Sequence, residues 1–250
     1  MLSKNQIKYI KGFQLKKRRQ EEGLFIAEGP KTVGDLLEVC RAHLLVATAD
    51  WLSTNEPNAG HVIEVTDEEL RKASLLQHPQ QVLGLFPINH LSATEPPRID
   101  NSQLILALDG IQDPGNLGTI IRIADWFGIQ QIFCSQDTAD AYNPKVVQAT
   151  MGSIARVNIH YTDLHHFLMT RPKGMPVYGT LLDGESLYEQ QLENRGIIVM
   201  GNEGRGISPE IIPLLTQKIL IPPYPAHKKT AESLNVATAT AIICAELRKY

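Results

Sequence analysis

Apolar residues along the chain switch repeatedly between near-continuous short runs and a helical period, and each switch marks an element. The stretch Leu104 to Gly128, LILALDGIQDPGNLGTIIRIADWFG, shows one such switch in compact form. Leu104 to Asp109 predicts a buried strand, and Gly110, Asp113, Pro114 and Gly115 predict a tight turn. A helical period then restarts at Leu117. Asn116 is suited to cap that helix, Ile120, Ile121, Ala124 and Phe127 share one face, and Arg122 and Asp125 lie off it. Two readings of this stretch stand side by side. Asn116 is only a cap and Arg122 only a solvated residue, or both serve the carboxyl end of the strand, where open α/β sheets keep their ligands.

The same alternation runs through the rest of the chain. Ser3 caps a predicted helix over Lys4–Gln20 with a narrow stripe of Ile7, Ile10 and Leu15. Strands at Leu24–Ala27, Leu44–Ala47, Val62–Val65 and Gln81–Phe86 alternate with helices at Lys31–Cys40 and from Asp67, giving a small α/β domain over residues 1–88. Residues 87–102, with Pro96 and Pro97 adjacent, break every period, so 89–102 reads as a linker. The remainder, 103–250, carries further strands at Gln131–Ser135, Ala155–His160, Val177–Leu182, Gly196–Met200 and Lys218–Ile221. Helices are expected at Pro144–Thr150, Asp163–Thr170, Pro209–Leu215 and Leu234–Tyr250, the fold class of a mostly parallel sheet covered on both faces.

Charge changes this picture at one end. The net charge of −3 divides into +5 over residues 1–31 and −8 over the rest. Lys16, Lys17, Arg18, Arg19 and Lys31 are therefore candidate contacts to a polyanion, with a merely solvated basic helix as the competing reading. No apolar run reaches membrane-spanning length, and the basic N-terminus lacks the apolar centre of a secretory signal. Cys40, Cys134 and Cys244 sit apart in apolar segments, as buried small residues of a reducing compartment do. A cytoplasmic protein without membrane partner is expected.

Two further stretches depart from what packing asks for. Met200 to Pro209, MGNEGRGISP, ends a strand in a three-glycine loop around Glu203, which is neither a dinucleotide fingerprint nor a phosphate loop. Ile221 to Val236 ends another strand at Pro222, crosses a polar loop with Lys228 and Lys229, and reaches Ser233, which can cap the last helix with Asn235 in its first turn. The three stretches together assemble Asn, Arg, Glu, Ser and Asn. No nucleophilic triad and no metal-ligand spacing accompanies them, and the adjacent His165 and His166 read as surface residues.

In order and spacing, DPGNLGTIIRIA (113–124), VMGNEGRGIS (199–208) and SLNVATATAI (233–242) resemble the three signature motifs of the SpoU (TrmH) family of RNA ribose 2′-O-methyltransferases, within the SPOUT class. FIAEGPKTVGDLL (25–37) is similar to that family's substrate-binding domain, itself like a small ribosomal protein. The resemblance implies a C-terminal trefoil-knotted α/β domain, S-adenosyl-L-methionine as methyl donor, a homodimer and no metal. It implies active-site roles for Asn116, Arg122, Glu203, Ser233 and Asn235. The cofactor would lie against Thr180, Leu181, Gly201, Ile221 and Leu234. One departure is visible: Pro223 stands where the family usually has Met, and the loop Tyr224–Glu232 is long.

Methyl transfer to a hydroxyl needs in-line geometry and a way to handle the hydroxyl proton. A guanidinium normally stays protonated, so Arg122 is expected to stabilise the developing alkoxide, or to share the proton with the RNA phosphate, while Asn116 and Glu203 hold it in place, in its own subunit or across a dimer. The ribosomal-protein-like domain favours large-subunit ribosomal RNA as substrate. A transfer-RNA methyltransferase and a non-catalytic RNA-binding or assembly protein are the alternatives.

Overall fold

The computed structural model describes residues 2–88, 99–225, 231 and 233–249. The expected linker 89–102 therefore lies largely outside the described residues, as do Lys228, Lys229 and most of the 224–232 loop. By their contacts the residues form two compact units, one of 1–94 with 140–156 and one of 95–139 with 157–250.

In the first unit the elements are α1 (Lys4–Gly12), α2 (Lys16–Glu22), β1 (Leu24–Glu28), α3 (Pro30–Val39), β2 (Ala42–Thr48), α4 (Ala49–Thr54), β3 (Ala59–Val65), α5 (Asp67–Ala73) and β4 (Val82–Pro87). The strands order β1-β4-β2-β3, antiparallel except for the β2/β3 pair. Leu24, Ile26, Leu44, Val46, Leu83 and Leu85 pack on Ile10 and Phe13 from the N-terminal segment and on Leu70 and Ala73 of α5. In this alternation every second strand residue serves one face.

The single N-terminal helix expected over 4–20 is two helices instead. Phe13 is buried at the break, and Arg19, only 2% exposed, turns inward. Its guanidinium donates to Phe13 O at 2.7 Å and Gln14 O at 2.9 Å, carbonyls that the end of α1 leaves open, and pairs with Asp140 Oδ2 at 2.6 Å. Arg19 is thus removed from the expected polyanion-binding set, because a buried, ion-paired guanidinium presents nothing to a phosphate. Lys16 and Lys17 remain exposed, Arg18 pairs with Glu22 at 2.9 Å, and Lys31 pairs with Asp35 at 3.2 Å.

Segment 140–156, with α7 (Pro144–Ala149) and a 3-10 turn at Ser153–Ala155, joins the first unit through that ion pair. Phe25 also packs on Tyr142, the rings tilted by 43° with centroids 5.0 Å apart, and Asp35 accepts from Arg156 at 2.9 Å. The 3-10 turn replaces the beginning of the strand expected at Ala155.

The second unit holds β5 (Leu104–Asp109), α6 (Pro114–Trp126), β6 (Gln131–Cys134), β7 (Asn158–Tyr161), α8 (Leu164–Met169), β8 (Val177–Ser186), β9 (Gly196–Gly201), β10 (Gln217–Leu220) and α9 (Val236–Leu247). Its sheet orders β10-β8-β9-β5-β6-β7 with every pair parallel, so all strand carboxyl ends share one edge. The helix expected at Pro209–Leu215 shrinks to a 3-10 turn at Ile212–Leu214, since Pro213 supplies no N–H to an α-helical ladder. In β8 the pairing with β10 jumps from Gly179 to Glu185, so residues 180–184 swing out of the ladder. No helix among the described residues is long and apolar enough to cross a membrane.

Burial of Arg19 leads to a direct expectation. Arg19→Met strands the Asp140 carboxylate and the two carbonyls and should cost about 3 kcal/mol in urea unfolding. Lys16→Met and Lys17→Met should each change stability by less than about 0.5 kcal/mol. Equal effects at the three positions would show that the inward pairing is unimportant.

Candidate active site

The turn after β5 is built around Asp113. Its Oδ1 accepts from Asn116 N at 2.8 Å, which makes Asp113 the cap of α6, with Pro114 in the first helical position. Asn116, expected as the cap, instead lies in the first turn with its side-chain amide unspent. At the other end of the chain the cap also moves, there by two residues. Asn235, not Ser233, caps α9, its Oδ1 accepting from Ala237 N at 3.0 Å and Thr238 N at 3.2 Å.

These two corrections release the groups that meet. Asn235 Nδ2 donates to Asn116 Oδ1 at 2.8 Å, and Asn116 Nδ2 donates to Glu203 Oε1 at 3.0 Å. The other carboxylate oxygen of Glu203 accepts from the backbone of Gln112 at 3.4 Å. Three loops far apart in sequence are joined by one line of hydrogen bonds, and each amide is oriented by a partner at both ends. Glu203 and Asn235 are exposed and Asn116 half-buried, so the line faces outward.

The remaining expected residues are placed as follows. Ser233 is exposed next to this line and has no hydrogen bond among the described residues. Arg122 is exposed further along α6, without hydrogen-bond or ion-pair partner among the described residues. Within one chain Asn116 and Glu203 bind each other and neither holds Arg122. Among the described residues of one chain, no charge anchors that guanidinium.

At the same sheet edge, Gly201 ends β9 in register with Asp109 of β5. A Cβ at Gly201 would come within 2.3 Å of Gly206 C and 2.4 Å of Ile207 N, so only glycine allows the following loop to fold back. Thr180 and Leu181 lie in β8 where its pairing with β10 is interrupted, and Ile221 follows β10, all half-buried, while Leu234 precedes α9 at 50% exposure. Bare backbone and uncharged side chains fit S-adenosylmethionine, whose adenosine needs apolar walls and backbone hydrogen bonds.

Several contributing residues carried no clear signal in the sequence. Asp109, buried at the end of β5, accepts from Ser208 N at 2.6 Å and Ser208 Oγ at 3.0 Å. Asn202 Nδ2 donates to Gly110 O at 2.6 Å. Asp137 accepts from Ser135 Oγ at 2.6 Å and Arg205 at 3.1 Å, and the Ser135 hydrogen bond, with Arg205 adding to it, holds its carboxyl below the usual carboxylate range. A polar residue closing an apolar run, as Asp109 does, was the one available hint. Burial pushes the Cys40 thiol up to about 11 and the Cys244 thiol up to about 12, which disqualifies both as nucleophiles. No group of three or more potential ligands for a metal occurs among the described residues.

Residues 103–245 match the SpoU rRNA Methylase family, and residues 4–84 match the MRM3-like substrate binding domain. The chain belongs to the SpoU rRNA methylase family. It is 29% identical to the 23S rRNA (guanosine(2553)-2′-O)-methyltransferase RlmP of Bacillus subtilis, over 98% of this chain and 97% of that one. A TrmH-family protein from Porphyromonas gingivalis superposes with a TM-score of 0.88 at 43% identity, covering 99% of this chain and 98% of the other. The AdoMet-bound rRNA methyltransferase from Sinorhizobium meliloti superposes at 0.86 with 30% identity, covering 99% and 95%. This SpoU-family chain is an RNA 2′-O-ribose methyltransferase of the SPOUT α/β fold class, with S-adenosylmethionine as its cofactor.

The cap assignment is testable by unfolding. Asn235→Ala should lower stability by about 1 kcal/mol through loss of the α9 cap, whereas Ser233→Ala should stay within about 0.5 kcal/mol of the parent. A larger loss at Ser233 would return the cap to that residue.

Proposed function

We propose that this SpoU-family enzyme methylates a ribose 2′-hydroxyl of large-subunit ribosomal RNA, in the cytoplasm, as a knotted homodimer. The observation that carries the reading is the Asn235–Asn116–Glu203 line at the carboxyl edge of the parallel sheet, beside the bare backbone of Gly201. The end-to-end likeness to RlmP favours ribosomal over transfer RNA as the substrate.

Bound S-adenosylmethionine supplies an electrophilic methyl group on sulfur. Its adenosine would rest against Thr180, Leu181, Gly201, Ile221 and Leu234. The ribose is then located by the amides of Asn116 and Asn235 and the hydroxyl of Ser233, with Glu203 fixing the direction in which Asn116 points. As the hydroxyl oxygen is methylated, its proton passes to the adjacent RNA phosphate, and the guanidinium of Arg122 stabilises the charge that develops. Residues 1–88 bind the RNA. Lys16, Lys17, Arg18 and Lys31 meet its phosphates, giving affinity without sequence readout.

Dimerisation supplies what one chain lacks. Gly115, Thr119, Arg122 and Trp126 form an exposed stripe along α6, with Trp126 84% exposed. Helix α9 is apolar almost all round, a pattern normally found in fully covered helices, yet Ala239, Ala241 and Ile242 are only half-buried. A second copy on this surface would cover the tryptophan and carry Arg122 to the other subunit's hydroxyl site.

Mapping of 2′-O-methyl groups in total RNA from cells with and without the gene should show one site lost from large-subunit ribosomal RNA. A loss confined to transfer RNA overturns the substrate assignment. For the shared site, Arg122→Ala and Glu203→Gln subunits should each lose about 100-fold or more in kcat. Mixed dimers of the two variants should regain activity, since one of the two sites is then complete. Mixed dimers as inactive as their parents would place Arg122 in its own subunit's site.

A further inference from the structure

We infer that Asn202 is the positioning residue for Glu203, setting the carboxylate against Asn116 through a hydrogen bond to the turn after β5. The inference rests on the reading of Glu203 as part of the active site and adds a residue that the motif likeness leaves without a role.

Asn202 uses every polar atom it has. Its backbone exchanges two hydrogen bonds with Gly206, both 2.9 Å, which pinches residues 202–206 into a closed loop. Its Oδ1 accepts from Gly204 N at 2.9 Å and Arg205 N at 3.0 Å, which fixes the backbone on the far side of Glu203. Its Nδ2 donates to Gly110 O at 2.6 Å, which ties the closed loop to the turn leading into α6. Glu203 therefore projects from a loop held from inside by one amide oxygen and from outside by one amide nitrogen.

The tie is reinforced on both sides. Gly110, with φ of 72°, donates its own N–H to Ser135 Oγ at 2.8 Å, so the acceptor carbonyl is itself immobilised. Ser135 bonds Asp137, and Asp137 pairs with Arg205 of the loop, closing a ring back to Asn202. Beyond the loop, Asp109 grips Ser208 through backbone and hydroxyl at once. Among the described residues Glu203 itself has only the 3.0 Å bond to Asn116 and the 3.4 Å bond to Gln112 N, too little to orient an exposed carboxylate unaided. A displacement of this carboxylate by about 1 Å is enough to cost a large factor in rate.

Asn202→Asp isolates the tie, because it keeps an acceptor for Gly204 and Arg205 and replaces the donor facing Gly110 O with a second acceptor. The experiment measures kcat, KM for RNA and the calorimetric Kd for S-adenosylmethionine in Asn202→Asp, Glu203→Gln and the double variant, with Asn202→Ala replacing Asn202→Asp if circular dichroism shows that it does not fold. The expected result is a fall in kcat of about 100-fold in each single variant, no further fall in the double variant, and RNA KM and cofactor Kd within about threefold of the parent. Normal turnover by Asn202→Asp, or losses that multiply in the double variant, overturns the positioning role while leaving Glu203 in the active site. Normal turnover by Glu203→Gln removes the reading of Glu203, and this inference with it.

Discussion

An amide side chain has two ends, and the candidate active site depends on both ends of Asn116 being occupied by residues from elsewhere in the chain. Its oxygen takes the Asn235 donor and its nitrogen reaches Glu203, so the start of α6, the loop after β9 and the start of α9 must arrive at one point. That requirement explains the caps. Asp113 performs the local task at α6, and Asn235 caps α9 with its oxygen alone, which leaves its nitrogen for Asn116. Had Asn116 been spent on its own helix, the line would have no middle member.

Convergence is a property of the parallel sheet. With all six strands running the same way, every loop that follows a strand emerges at a single edge, and β5 and β9 are adjacent and in register to their last residues. Asp109 and Gly201 are thus opposite each other, one anchoring Ser208 and the other leaving room for the loop that carries Glu203. Neither position tolerates a large apolar side chain. A carboxylate is needed to satisfy the Ser208 donors, and the backbone of Gly206 and Ile207 fills the space a Cβ would take.

In the N-terminal unit the same residue class does opposite work at neighbouring positions. Lys17 contacts Glu21 only at 3.8 Å with its own side chain 86% exposed, an arrangement that contributes little to stability and leaves the charge available to a ligand. Arg19 is sealed from water, and the desolvation of its charge is offset by Asp140 and by two backbone carbonyls. The first kind of charge is suited to meeting an exchangeable partner, and the second to holding two pieces of chain together. Charge counting along the sequence does not separate them.

Local pattern alone located β5, the turn at 110–115, the helix beyond it, the glycine loop around Glu203 and the polar pair before the last helix, because periodicity and turn chemistry are written within a few residues of where they act. The parallel sheet followed from strands alternating with helices. Three things were left to the folded chain: which polar residue caps α6 and α9, where the basic N-terminal helix breaks, and where β8 loses its register with β10. Each turns on a partner distant in sequence, such as Asp140, which lies 121 positions from Arg19. A cap preference differs little between Asp and Asn or between Ser and Asn, so a long-range hydrogen bond to the second amide is enough to decide between them. Local propensity thus proposed the elements, and the long-range satisfaction of buried or shared polar groups chose among the nearly equal ways of ending them.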